Sequence, residues 1–277
     1  MADEPRYGQR AGRPGPRPGD SGNQSSGGPA PRSGGSPFRR SSGFGTGGGR
    51  GQGLASSLNF RTLPVTTTLI TINVILGVAQ LVSSQVTNWL AFNPVMGYFQ
   101  PWRLLTAAFV HGSFMHLLFN MLMLLMIGQG VERALGWWRF LSVYLLSAIA
   151  GSMGMIAWVL IQPSAIQVWT VGASGAIYGL FAAVFILQKR SGISTQSILI
   201  LLGINLVYGF IVPGIAWQAH MGGFIGGLVA TAAFWAVRDK TLRNSQAVRT
   251  RAALGVLALL VVAFAAGTWG LYALIIR

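Results

Sequence analysis

The sequence predicts an all-α membrane protein with seven transmembrane helices, on three observations. Of its 277 residues, 52% are apolar or aromatic and only 9% are charged, against about a quarter charged in soluble domains. So few charges cannot cover a water-exposed surface. From residue 64 onward, long apolar runs alternate with short polar breaks, each run near the length a bilayer demands. Lys and Arg are concentrated in alternate breaks, the pattern that sets orientation in a membrane.

Residues 1–57 hold 16 Gly, 7 Pro, 9 Ser and 8 Arg, with no apolar run. Such a segment cannot bury enough surface to offset its chain entropy, so a disordered tail over residues 1–58 is expected. It has no signal-peptide h-region. It also lacks the aromatic interleaving of nucleic-acid readout, so no nucleic-acid partner is expected. Helices are expected at roughly 64–83, 115–133, 139–161, 174–188, 197–212, 217–237 and 252–275. The division is then a tail (1–58), a core (59–240), and a linker with the seventh helix (241–277). No internal repeat is evident, which speaks against a repeat-built transporter.

With the N-terminus in the cytoplasm, eighteen of the twenty Lys and Arg fall on the cytoplasmic side; only Arg103 and Arg277 lie outside. The net charge of +15 is thus a topology signal and requires no acidic partner. A bacterial plasma membrane is the expected location.

Polar residues inside a membrane are costly and mark function by default. His116 and Asn120 open the second helix, Ser174 opens the fourth and His220 lies near the start of the sixth. All three helices begin at the outer face, and the rise per residue puts these groups at matching depth. Ser174 is about 22 Å from Lys189, Asn120 about 20 Å from Arg133, and His220 about 27 Å from Arg238. In a hydrocarbon core about 30 Å thick, they lie below its outer edge.

A hydroxyl and an imidazole suggest a nucleophile and its general base. A Ser–His–Asp triad needs a carboxylate to orient the imidazole, but Glu132 and Asp239 each lie more than about 20 Å along their helix from the nearest histidine. A Ser174–His220 dyad is what remains. Tyr178, one turn after Ser174, is a candidate to pack against His220. The turn Gly172-Ala173-Ser174-Gly175 places unpaired backbone N–H groups at a helix N-terminus, where they can stabilise an oxyanion. His116 and Asn120 can donate to the same anion. Ala219, Gly223 and Gly227 form a small-residue stripe that lets the sixth helix approach the fourth. No cofactor or metal is expected: the chain has no Cys, and His111 and His116 do not form an H-E-x-x-H pair.

These residues resemble the rhomboid intramembrane serine proteases over about residues 64–240. The matching strings are Trp102-Arg103, His111…His116-Leu-Leu-Phe-Asn120, Gly128…Glu132…Gly136, Gly172-Ala-Ser174-Gly175-Ala-Ile-Tyr178 and Ala219-His220-Met-Gly-Gly223…Gly227. The resemblance implies a rhomboid-like six-helix catalytic core plus an added seventh helix. It implies Ser174 as nucleophile, His220 as base, and His116, Asn120 and the Ser174 N–H as the oxyanion hole. Tyr178 would stack on the histidine. His111 would be structural, as would Trp102-Arg103 and Glu132, the last tying cytoplasmic loop ends together. The implied substrates are single-span membrane proteins cleaved near the outer face, with lipid as the other partner. Two departures are a Gln at position 100, where an acid is expected, and one extra residue between the fifth helix and Ala219. The alternative is an inactive rhomboid-like protein that binds transmembrane clients; a channel would need rings of charge that are missing. The sequence leaves the oligomeric state open.

Overall fold

The helices form where the apolar runs lie. The structure, a computed structural model, describes residues 64–212 and 214–277; the tail over residues 1–58 lies outside them. Among the described residues there are seven long helices: α1 (Pro64–Val82), α2 (Phe114–Leu135), α3 (Trp137–Val159), α4 (Ser174–Arg190), α5 (Gln196–Ile211), α6 (Trp217–Lys240) and α7 (Gln246–Ile275). Five of them, α1, α2, α3, α6 and α7, are long and apolar enough to cross a membrane. The other two have 17 and 16 residues. This is an all-α multi-pass membrane protein; among the described residues the one β-type pairing is an isolated bridge between Phe92 and Thr170.

Local signals set the ends. The Ser113 side chain accepts from the His116 N–H and starts α2. Gly136, at φ +82°, turns α2 directly into α3. The seventh helix begins at Gln246 rather than at the expected 252, because Ser245 caps it by accepting from the Val248 N–H. Its first turns are polar and carry Arg249 and Arg251, so hydropathy alone does not reveal them. The connector from α1 to α2, expected only as a loop, is folded into short helical turns at Ser84–Leu90, Pro94–Phe99, Arg103–Thr106 and Ala107–Phe109. Arg103 organises it by donating to the Ala91 carbonyl at 2.6 Å and to Gln100 Oε1 at 2.6 Å. Gln100 therefore receives the guanidinium without being an acid.

Glu132 holds α1 against α2 in a different way from the expected tie between loops. Its carboxylate accepts from the Val65 N–H (3.0 Å), the Thr66 N–H (2.8 Å) and the Thr66 hydroxyl (2.6 Å). These are first-turn donors with no partner inside α1, and the anion also suits the positive end of the helix dipole.

α3 is the most deeply buried of the five long spans, and α6 lies against both α3 and α4. The contacts run backbone to backbone. A side chain at Gly223 would strike the Gly175 backbone, and one at Gly227 the Gly179 backbone. On the neighbouring face, Gly222 meets the Ala150 carbonyl, and Gly154 of α3 meets the Gln218 carbonyl. Small residues permit this approach, and in lipid helix association depends on such close packing. α7 reaches the α1–α2 connector, where the Tyr272 hydroxyl donates to the Pro94 carbonyl at 2.9 Å.

Gly223→Val should force α6 away from α4 and destabilise the protein by at least the roughly 1–3 kcal/mol typical of overpacking. Thermal unfolding in detergent will show a lowered midpoint, whereas Gly203→Ala, at a position with open space, will shift it little.

Candidate active site

Ser174 is the first residue of α4 and His220 lies in the first turn of α6. The close approach of these helices brings His220 Nε2 to 2.9 Å from Ser174 Oγ. Ser174 is half-buried, and His220 is buried at 9% exposure. The Tyr178 ring stacks on the His220 ring, with centroids 4.2 Å apart and planes 9° apart. His220 Nδ1 is buried with no hydrogen-bond partner, so stacking and packing orient this imidazole where a triad would use a carboxylate. Gly209 of α5 lies on its Nδ1 side.

The turn before Ser174 is anchored from the α1–α2 connector. The Gly172 N–H donates to the Ala107 carbonyl at 2.8 Å, and Phe92 and Thr170 exchange backbone bonds at 3.1 and 2.7 Å. Gly172 has φ +120°, a conformation that favours glycine. Its Cα faces the His116 imidazole closely enough that an added Cβ would lie 2.6 Å from His116 Nε2. The Gly112 N–H donates to His116 Nδ1 at 3.4 Å. With Nδ1 accepting, a neutral His116 carries its proton on Nε2, the nitrogen beside Gly172. Asn120, 6% exposed, donates one N–H to the His116 carbonyl at 3.0 Å and retains a second. Its Nδ2 would lie 3.7 Å from a Gly172 Cβ.

Ser174, His220, Tyr178, His116, Asn120 and Gly172 therefore gather at one end of the bundle, with Gly175 and Gly223 in the contact beneath them. His111 lies at the edge of this group, its ring 5.1 Å from that of His116 at 74°. Both His111 ring nitrogens are buried without a partner. Burial, reinforced by nearby His116, pushes its pKa down to about 3. Sequence reasoning missed Gln80 of α1, which accepts from the His111 N–H at 3.0 Å and donates to the His111 carbonyl at 2.9 Å. A polar side chain in the last turn of an otherwise apolar run is the signal that points to it. It also missed Ala107 and Phe92, which act through backbone atoms and leave no side-chain signature.

The chemistry open to this group is acyl transfer. It holds a hydroxyl beside an imidazole, with donors converging on one side. Residues 98–237, just over half of the chain, match the family model described as the Rhomboid domain. The chain is 40% identical over 137 residues to the rhomboid protease GluP of Bacillus subtilis (strain 168), covering 48% of this chain and 26% of that protein. It is 31% identical over 133 residues to RHOMBOID-like protein 5 of Arabidopsis thaliana, covering 46% and 41%. It is 30% identical over 163 residues to the rhomboid protease AarA of Providencia stuartii, covering 50% and 58%. The chain thus spans less than two thirds of each of these relatives.

The low His111 value has a stability consequence. The unfolded chain takes up the proton first, near pH 6.5, so stability is full above that pH and is lost as pH falls toward 3. The slope is at most about 1.4 kcal/mol per pH unit. His111→Phe, which removes two unpartnered nitrogens, should lose less thermal stability between pH 7 and pH 5 than the parent protein, measured in the same detergent.

Proposed function

We propose that this chain, which belongs to the rhomboid family, is an intramembrane serine endopeptidase that cleaves transmembrane helices through a Ser174–His220 dyad. The observation carrying this reading is the 2.9 Å contact between His220 Nε2 and Ser174 Oγ. In this reading His220 Nε2 takes the Ser174 proton as the hydroxyl attacks the scissile carbonyl. The oxyanion is held by His116 Nε2–H, the free Asn120 N–H and the backbone N–H groups at the start of α4. His220 then returns the proton to the leaving amine, and water hydrolyses the acyl-enzyme. Tyr178 keeps the imidazole in plane throughout.

The catalytic core comprises α1 to α6 within residues 59–240, and α7 is an addition braced against the connector. The N-terminus is cytoplasmic in a bacterial inner membrane, which puts the Ser174 end at the outer leaflet. The substrate is a single-span membrane protein. Its helix satisfies its own backbone in lipid, so it must unwind before its carbonyls can be attacked. α5 is suited to admit it: only Ile198 and Gly209 of that helix are buried, leaving little packing to break.

Incubation of the purified protein with single-span substrates in liposomes tests the reading. Ser174→Ala and His220→Ala should each abolish cleavage; undiminished cleavage by either refutes the dyad. Asn120→Ala should lower kcat toward the lower end of the roughly 10²–10³-fold loss for one oxyanion donor, because other donors remain. Tyr178→Phe should retain most activity and Tyr178→Ala should not, since the ring and not the hydroxyl contacts His220.

A further inference from the structure

At the opposite end of the bundle, about 27 Å along α6 from His220, a cavity of about 410 Å³ opens between the end of α2 and the ends of α3, α6 and α7 that meet it. Arg139, Arg238 and Arg249 line it together with Trp138, Trp235 and Gln246. Two of the guanidiniums lie over indoles: Arg139 sits 4.5 Å from the Trp138 ring centroid and Arg238 4.1 Å from that of Trp235. Arg139 and Arg249 are half-buried.

Three cations from three helices repel one another, and among the described residues no carboxylate pairs with them; Arg139 donates to the Leu135 carbonyl at 3.3 Å. The two acidic side chains among the described residues are already paired: Glu132 with the start of α1, and Asp239 with Arg190, a further arginine that lies 5.0 Å from the Trp235 ring centroid. Packing over the indoles restrains the Arg139 and Arg238 guanidiniums, and a guanidinium fork matches a phosphate bidentately. Tryptophans at helix ends belong to the level of the lipid headgroups, and basic pockets between transmembrane helices bind anionic headgroups. From the arginine-lined cavity we infer a binding site for the phosphodiester headgroup of an anionic phospholipid, with the acyl chains lying along the apolar flanks of α6 and α7.

Native mass spectrometry of the whole 277-residue chain tests this, using phosphatidylglycerol, chain-matched phosphatidylcholine and inorganic phosphate as probes. Phosphatidylglycerol should be retained at least about tenfold better than phosphatidylcholine, and millimolar phosphate should not displace it. R139Q/R249Q should remove that preference, a loss of roughly thirtyfold if each arginine contributes its usual surface increment. R243Q/R251Q, at exposed positions outside the cavity, should keep it. If R139Q/R249Q fails to fold by circular dichroism, Gln246→Glu decides instead. It adds a carboxylate at the rim, in a first helical turn that tolerates one, and should weaken retention. Equal retention of both lipids, displacement by phosphate, persistence of the preference in the folded R139Q/R249Q or in Gln246→Glu, or its loss in R243Q/R251Q overturns the inference.

Discussion

Lipid offers no hydrophobic reward for bringing two apolar helices together, so their association rests on close packing and on hydrogen bonds. In this protein α6 meets α4 where Gly223 faces Gly175 and Gly227 faces Gly179, with no room for a β-carbon at either of the α6 positions. That contact fixes the distance between the first turns of the two helices. Ser174 and His220 lie just above it, and their 2.9 Å separation is a product of the glycines below. A second pair of small residues on α6, Gly222 and Gly226, sets the same close spacing against Ala150 of α3. α6 is thereby locked in both position and rotation, and the imidazole has one direction in which to point.

The remaining polar groups at this end are held by the α1–α2 connector. Its backbone takes Thr170 and Gly172 as partners, its Gly112 N–H sets the His116 tautomer, and Gln80 of α1 clasps His111. Arg103 and Tyr272 tie the connector to itself and to α7. In an apolar medium an unpaired backbone group is expensive, so such a connector folds tightly, and the site inherits its rigidity. The opposite end differs in character. There, Arg139, Arg238 and Arg249 gather between helix ends without a carboxylate partner among the described residues.

Much of this was legible in the sequence because a few constraints are strong. The apolar runs mark the seven long helices of the described residues, five of which have the length and apolarity that a bilayer demands. Ser174 and His220 stand out because polar side chains are rare in these runs and the chain has only three histidines. The Ala219–Gly223–Gly227 stripe announces the α6–α4 contact. The second stripe is masked by the first, because the doublets Gly222-Gly223 and Gly226-Gly227 encode two faces one residue apart. The folded connector, the capping of α1 by Glu132 and the clasp of Gln80 on His111 were not legible. Each joins one side chain to a backbone group far along the chain, and such contacts leave no periodicity. The early start of α7 carries no hydropathy signal, because a cap sets it.

The central claim is that the packing of α6 on α4 makes Ser174 reactive through His220. The most direct measurement is fluorophosphonate labelling of the protein in bilayers, with the modified residue identified by mass spectrometry. The account predicts phosphonylation at Ser174 in the wild type and none in His220→Ala. Labelling of Ser174 at an equal rate without His220, or no labelling of the wild type at all, would contradict it.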